Sequence, residues 1–412
     1  MSLSHQLRWC ILREGSGEVD LLVDPRDHRR AEAALRASGC LPLPTWGRGS
    51  HRFLLRYDPA SDRWTKLDIV TELAFGPYQE LRTGAAALEC LVRRRVCGDR
   101  AYLDPDDAFW ALLLHHALDR PRRSGSQSPE PQRHRLAALA PYATTEGPLA
   151  RWVAGACPPA EIIAWAQAGD WEVLDTLGAR VRAGLPAGRR LAARGRAARN
   201  RVVRNILRPL ARLRRRPLTV ALLAPDGAGK STLQRRVAAA WPLPTWTAYL
   251  GLYPQPSTAR ARRPFRGLAP ALRLARFWSS YAAGRWWQAC GRLVIYDRHP
   301  IDALVLSDAP PDGRRRLRRW VIAHACPLPD LVVVLDAPPP VLYARKAEHS
   351  LEELGDQRAR YLAYASRHSP DVVVIDASGD PDTVRRTLIQ TIWDRWSAAR
   401  LAGLRPPQPA EP

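Results

Sequence analysis

The sequence predicts an α/β protein built from two main parts. One is a C-terminal parallel β-sheet flanked by helices. The other is an N-terminal α+β domain with a helical extension. Three observations carry this reading. After residue 217, short apolar runs alternate with helical patterns, as buried parallel strands and crossover helices require. Before about residue 84, apolar runs alternate with turn signals in a shorter rhythm. The chain's 412 residues exceed one typical domain, and 46% apolar with 25% charged residues allows sizeable cores and excludes wholesale disorder.

In order along the chain, Arg8–Leu12 and Glu18–Val23 (EVDLLV) read as strands. DPRDHRRAEAALRASG follows as a helix, with Asp24 or Asp27 as cap and Gly39 as stop. HRFLLRYD and WTKLDIV form the two strands of a hairpin joined around Pro59, Ala60 and Ser61. From about residue 84 the pattern is helical: Phe109, Leu112 and Leu113 share a face, as do Ile162, Ile163 and Trp165. Residues 121–134 are polar and Pro/Ser-rich and read as a loop. Leu218–Leu223, Leu293–Tyr296, Leu331–Leu335 and Val372–Ile375 each suit a buried parallel strand. The expected organisation is a domain over 1–118, a helical extension over 119–179, an Arg-rich connector over 180–216, an α/β domain over 217–400 and a flexible tail over 401–412.

Charge is uneven. The net charge is +23, and only Lys66, Lys230 and Lys346 among 63 basic residues are lysines. Such charge first suggests nucleic acid or an anionic membrane. Residues 180–216, however, hold 14 arginines and no acid. Val202, Val203, Ile206, Leu207, Leu210 and Leu213 recur there at helical spacing, with Pro209 as a potential kink. An amphipathic basic helix fits, either as a connector packed on one face or as a surface for anionic lipid or polymer. No base-reading motif accompanies it, which disfavours specific nucleic-acid binding. The seven cysteines form no CxxC pair, which disfavours a zinc site or disulfide framework. The opening residues lack a signal-peptide core, and no run reaches the ~18 apolar residues of a membrane span. The expectation is a soluble cytoplasmic protein that can lie peripherally on the inner face of a membrane.

The strongest motif is Ala224-Pro225-Asp226-Gly227-Ala228-Gly229-Lys230-Ser231-Thr232. Backbone N–H groups in such a turn, and at the helix start after it, can cradle phosphates. Gly227 and Gly229 permit the unusual backbone path, and Ala228 lies between them. Lys230 can reach β/γ phosphates, and Ser231 offers a hydroxyl to Mg2+. Thr232 can support the loop. Ala224 stands where this pattern normally opens with Gly.

APDGAGKSTL, VIYDRH ending at His299, and PDLVVVLDAPPPVLYARKAE together resemble the thymidylate kinase-like group of P-loop kinases. The resemblance covers about 217–395. It implies ATP and Mg2+ as cofactors. It also implies that Asp226 approaches the acceptor, that Asp297 places magnesium-bound water or acceptor, that Arg298 binds an anionic acceptor group, and that Arg345 in a lid neutralises phosphoryl charge. The Asp376-Ala377-Ser378 loop would lie beside the base. Asp336 is a second candidate near the metal. The acceptor segment 251–290 is basic and aromatic, with Tyr253, Arg260, Arg262, Arg263, Arg266, Arg273, Phe277, Trp278, Tyr281, Trp286 and Trp287. Such a stretch can enclose a nucleotide or sugar phosphate, or can be core and solvated faces.

In the front domain, Glu18 and Asp20 lie two apart on one strand and so share a face. Asp68 on another strand could complete a magnesium site. LREGSGEVDLLVDPRDHRRAEAALRASGC with WTKLDIV resembles the nucleotidyltransferase superfamily. That resemblance implies metal binding by Glu18 and Asp20, with Asp68 assisting an attacking hydroxyl. Two departures are a Glu as first acid and Gly15-Ser16 directly before it. Lys66 could touch phosphate or serve a hairpin surface.

The functional expectation is an ATP-dependent phosphotransferase for a small metabolite, nucleotide, sugar or glycan. The alternatives are a bifunctional kinase and nucleotidyltransferase, or a noncatalytic nucleotide-controlled binding protein.

Overall fold

The computed structural model describes all residues except 1–2, 4–5, 16, 44–49, 120–129, 214–216, 253–268, 308–312 and 403–412. Ser16, Arg214, Arg215 and Arg216, the acceptor-segment residues Tyr253, Arg260, Arg262, Arg263 and Arg266, and most of the tail therefore lie outside the described residues. The chain divides into two compact units, with the main boundary between Ala211 and Arg212.

The first unit opens with β1 (Trp9–Gly15), β2 (Glu18–Val23), α1 (His28–Ala37), β3 (Leu41–Pro42), β4 (His51–Asp58) and β5 (Arg63–Val70). It continues with β6 (Ala74–Phe75), β7 (Leu81–Arg82), α2 (Ala86–Arg93), β8 (Arg95–Cys97) and β9 (Arg100–Tyr102). Helices follow: α3 (Pro105–Asp119), α4 (Glu130–Leu139), α5 (Pro148–Ala154), α6 (Pro159–Ala168), α7 (Trp171–Gly184) and α8 (Ala187–Leu213). The main sheet runs β3-β4-β5-β2-β1-β9-β8. The β4–β5 hairpin pairs Asp58 with Arg63 around the expected turn, and β5 runs parallel to β2.

Alternation sorts the side chains of β2. Leu21 and Val23 join the core under α1, with Leu35, Leu54, Leu67 and Ile69. Leu22 turns to the other face and joins Phe109, Trp110, Leu113 and Leu114. Asp20, two residues before Leu22, therefore faces the helical side. Asp27 precedes α1 without a side-chain cap; its carboxylate accepts from the Arg8 backbone N–H instead, at 2.9 Å. Gly39, at φ +87°, turns the chain out of the helix as expected.

Two expectations need correction here. Residues 130–134 are not loop but the start of α4, where Pro131 fits the first helical turn because its missing N–H is not needed there. Nor do residues 180–211 form a separate connector: they belong to the first unit. α7 extends to Gly184, and α8 runs on through Pro209. α8 is held mainly by polar contacts. Arg196 Nε, Asn200 Nδ2 and Arg204 Nη1 donate to the backbone carbonyls of Glu80, Tyr78 and Pro77 at 2.8, 2.8 and 3.2 Å. Val202, Ile206 and Leu210 from the expected apolar set are exposed.

The second unit contains β10 (Thr219–Leu223), α9 (Lys230–Ala240), β11 (Thr245–Tyr249), α10 (Ala269–Ala289), β12 (Leu293–Asp297), α11 (Asp302–Val305) and α12 (Gly313–Ala323). It ends with β13 (Leu331–Asp336), α13 (Pro339–Arg345), α14 (Leu351–Arg367), β14 (Val372–Asp376) and α15 (Pro381–Ala402). Its five strands are all parallel, in the order β11-β12-β10-β13-β14. β10 and β12 are buried along their whole length, because helices cover both faces of the sheet. The edge strand β11 was not expected. Its Thr-Trp-Thr-Ala-Tyr sequence is only half-buried and lacks the apolar run that marks its neighbours. Among the described residues, no helix is long and apolar enough to cross a membrane.

Candidate functional site

β10 ends at the centre of the sheet, with β12 on one side and β13 on the other. Crossovers leave this point in both directions, which opens a crevice at the strands' carboxyl ends. The loop 224–229 sits there. Gly227 and Gly229 adopt φ +89° and +80°, which other residues resist, and Gly229 leads directly into α9. Ala224 is fully buried at the end of the strand, so an ordinary side chain is tolerated where the usual pattern has Gly.

Lys230 is 6% exposed, and its Nζ donates to the carbonyls of Ala224 and Pro225 at 2.8 and 2.7 Å. Burial, with Arg298 nearby, holds its ammonium below the ordinary lysine value. Ser231 Oγ donates to Asp297 Oδ2. The other oxygen, Asp297 Oδ1, is buried and has no hydrogen-bond partner among the described residues. Ala228 is buried, while Thr232 is exposed in the first turn of α9.

Arg298 follows β12 at φ +69°, its N–H bonded to the Leu222 carbonyl at 3.0 Å. Its guanidinium donates to Asp226 and lies 3.7 Å from Asp302. Burial works against that charge, but Asp226 and Asp302 outweigh it and hold Arg298 above its usual value. Burial likewise opposes the Asp226 charge, yet Lys230 and Arg298 keep this carboxyl below its ordinary range. Asp302 accepts from Tyr361 Oη at 3.0 Å. The sequence reading missed Asp302 and Tyr361. They lie 59 residues apart in no shared motif, and the only signal was Asp302 itself five residues after Asp297.

Other expected residues are engaged elsewhere. Arg345 donates to the carbonyls of Ala377 and Ser378 at 2.8 and 3.1 Å, and so ties α13 to the 376–378 loop. Asp336 is taken by Arg358 in a two-pronged pair at 2.6 and 2.9 Å, which withdraws it as a metal candidate. In α10, Phe277 is core, Tyr281 and Trp287 pack against that core, and Trp278 and Trp286 are exposed.

Among the described residues, no group of three or more His, Cys, Asp or Glu side chains could hold a metal ion. A nucleotide-bound Mg2+ does not need one, because phosphate and water oxygens supply most of its ligands. The Ser231 hydroxyl beside the unpartnered Asp297 oxygen fits that requirement.

No family model matches the chain, and no curated protein matches it. Among solved structures it is similar to thymidylate kinase from Candida albicans, at 17% identity over 43% of this chain and 91% of that one, with a TM-score of 0.34. It is also similar to deoxyadenosine kinase from M. mycoides, at 15% identity over 42% of this chain and 98% of that one, with a TM-score of 0.31.

In the first unit, β2 and β5 set Asp20 opposite Asp68 and Glu18 opposite Lys66. The three acids do not form a shared metal site. Glu18 is bound by Lys66 at 2.6 Å, Asp20 by Arg13 at 2.6 Å, and Asp68 by His51 at 2.6 Å. Burial raises the Asp68 carboxyl above its ordinary value, against the pull of His51. Among the described residues these acids are not gathered into a group of three that could hold a metal ion, and each already has a basic partner. The residues therefore do not fit the magnesium expected for them.

Proposed function

We propose that the protein is an ATP-dependent phosphotransferase acting on a small-molecule or glycan acceptor through residues 224–232. One observation carries the reading: Lys230, Ser231, Asp297 and Arg298 converge at the carboxyl edge of a single parallel sheet. Phosphoryl transfer needs alignment and charge compensation more than a covalent nucleophile, and this site supplies both.

The N–H groups at the start of α9 receive the phosphates. Lys230 exchanges its two carbonyl partners for β/γ-phosphate oxygens. Ser231 and Asp297 would hold Mg2+, which when bound would supply charge neutralisation. Asp226 stands at the lip of the loop, where its carboxylate faces an incoming acceptor. Arg298, oriented by Asp226 and Asp302, offers positive charge to an anionic acceptor group or to the transferring phosphoryl. Arg345 orders the loop at 376–378 on the base side.

The test is mass spectrometry of an acceptor library incubated with labelled ATP, scoring phosphate gain separately from nucleotidyl gain. Phosphate gain is expected, lost on chelation of divalent ions and largely abolished by Lys230→Ala. Full phosphate transfer by Lys230→Ala would overturn the assignment.

A further inference from the structure

The first unit contains a cleft of about 270 Å3 that the phosphotransferase reading does not use. That is close to the ~300 Å3 lower end of small-ligand pockets. Its polar floor is a continuous chain of bonds. Arg13 holds Asp20 and donates to His115 Nε2 at 2.6 Å. His115 therefore carries its proton on Nδ1 and donates to Asp119 at 2.5 Å. Asp119 accepts in turn from the Gly76 backbone N–H at 2.6 Å. Glu18 is paired with Lys66, and Asp68 Oδ2 is hydrogen-bonded to His51 Nδ1.

Two atoms are left over. Asp20 Oδ1 and Asp68 Oδ1 are buried with no hydrogen-bond partner among the described residues, and both side chains are only 7% exposed. Both residues line the cleft from neighbouring positions on β2 and β5. A buried carboxylate oxygen left unpaired is costly, so the cleft is built for something that brings donors. An anion would set acceptor against acceptor. A divalent ion would find no group of three or more acids, histidines or cysteines among the described residues to hold it. Leu12, Phe53, Phe75 and Leu112 supply apolar wall around the same floor. A ring with hydroxyls on its edge and carbon–hydrogen faces matches both features.

We infer that this cleft binds a neutral pyranose without a metal, its hydroxyls donating to Asp20 and Asp68. The site is prearranged, since the loop forming part of its wall is braced from outside. Arg182 holds Glu80 at 2.9 Å, and Arg196, Asn200 and Arg204 grip the carbonyls of residues 80, 78 and 77. The arginines of α7 and α8 thereby acquire a structural task in shaping the cleft. The inference does not rest on the phosphotransferase reading.

Saturation-transfer NMR and calorimetry on the full chain test it, with EDTA and without nucleotide. The probes are the methyl glycosides of glucose, galactose and mannose, with glucosamine and glucose 1-phosphate as charged comparisons. At least one neutral glycoside is expected to bind at millimolar concentration, unchanged by added Mg2+ and no weaker than its charged counterparts. Asp20→Asn and Asp68→Asn each weaken it at least about tenfold, as loss of a hydrogen bond to a charged group does. Leu112→Trp fills the cleft, keeps every carboxylate and abolishes binding. Should an aspartate variant fail to fold, Leu112→Trp decides. The inference fails if no neutral glycoside of the panel binds, if binding requires Mg2+, if it survives Leu112→Trp, or if an amino or phosphorylated sugar binds more than tenfold better. Because no nucleotide is present, none of these outcomes depends on phosphate transfer.

Discussion

Gly227→Ala and Gly229→Ala should behave differently, although both glycines sit at positive φ in one loop. A methyl group at Gly227 would stand 2.4 Å from the carbonyl oxygen of Leu342, and 3.1 and 3.2 Å from its carbonyl carbon and Cα. Ordinary contact begins at 3.4 Å, so the overlap is about 1 Å. Leu342 has little room to retreat: its side chain is fully buried and its carbonyl accepts from Lys346 N at 3.0 Å. At Gly229, nothing lies within 4 Å. Each substitution costs ~1–2 kcal/mol for a left-handed backbone at a residue with a Cβ. Gly227→Ala adds ~1–3 kcal/mol of overpacking. At ~2–4 °C per kcal/mol for a unit of this size, it should melt ~2–12 °C below Gly229→Ala. Scanning calorimetry of the full chain, following the transition that ATP raises, reads the difference. Titration with ATP should show weaker binding by Gly227→Ala, because relief of the clash moves the loop. Equal melting of the two variants, or wild-type ATP affinity in Gly227→Ala, would refute the reasoning.

Three further predictions follow from the same unit. Burial pushes His299 down to about 4 from an ordinary 6.5, so between these pH values the unfolded chain binds a proton that the folded one excludes. Stability should fall as pH falls through that window, by up to ~3 kcal/mol, and His299→Gln should flatten the slope in pH-dependent denaturant melts; an unchanged slope would remove His299 as the cause. Ser350 and Glu353 form a reciprocal capping box at the start of α14, so Ser350→Ala should cost ~1 kcal/mol in urea unfolding, and no loss would mean the cap is replaced by water. Asp297→Asn should raise the Mg2+ concentration needed for half-maximal phosphate transfer, and an unaltered Mg2+ dependence would separate Asp297 from the metal.

Legibility followed burial. β10, β12 and β13 were readable because strands covered on both faces become apolar runs, and the edge strand β14 because it keeps a Val-Val-Val-Ile run although Val374 is exposed. β11 was not, because an edge strand can carry Thr, Trp and Tyr at half burial. The loop at 224–232 was readable because its glycines, lysine and serine are local requirements of backbone path and charge. The partners of Arg298 were only partly readable: Asp226 lies within a motif, but Asp302 is joined to Tyr361 only by tertiary packing. The expected role of Arg345 could not be checked along the chain, since the carbonyls it bonds lie 32 and 33 residues away.

The sequence by itself determined the apolar strands, the glycine-rich loop at 224–232 and the facing of Glu18 and Asp20, because these depend on spacings of a few residues and on φ. Tertiary structure alone decided what those groups do. The parallel register of β2 and β5 sets Lys66 against Glu18 and Asp68 against Asp20, and Arg13 and His51 then bond to the acids that spacing had offered to a metal. The fold also turned the arginine run of 180–211 from an apparent connector into the end of α7 and most of α8, the latter bonded to the carbonyls of residues 77, 78 and 80. The physical reason is the same in both cases. A charge declares its sign in the sequence, but its function depends on which opposite charge or unpaired oxygen the folded chain brings within about 3 Å.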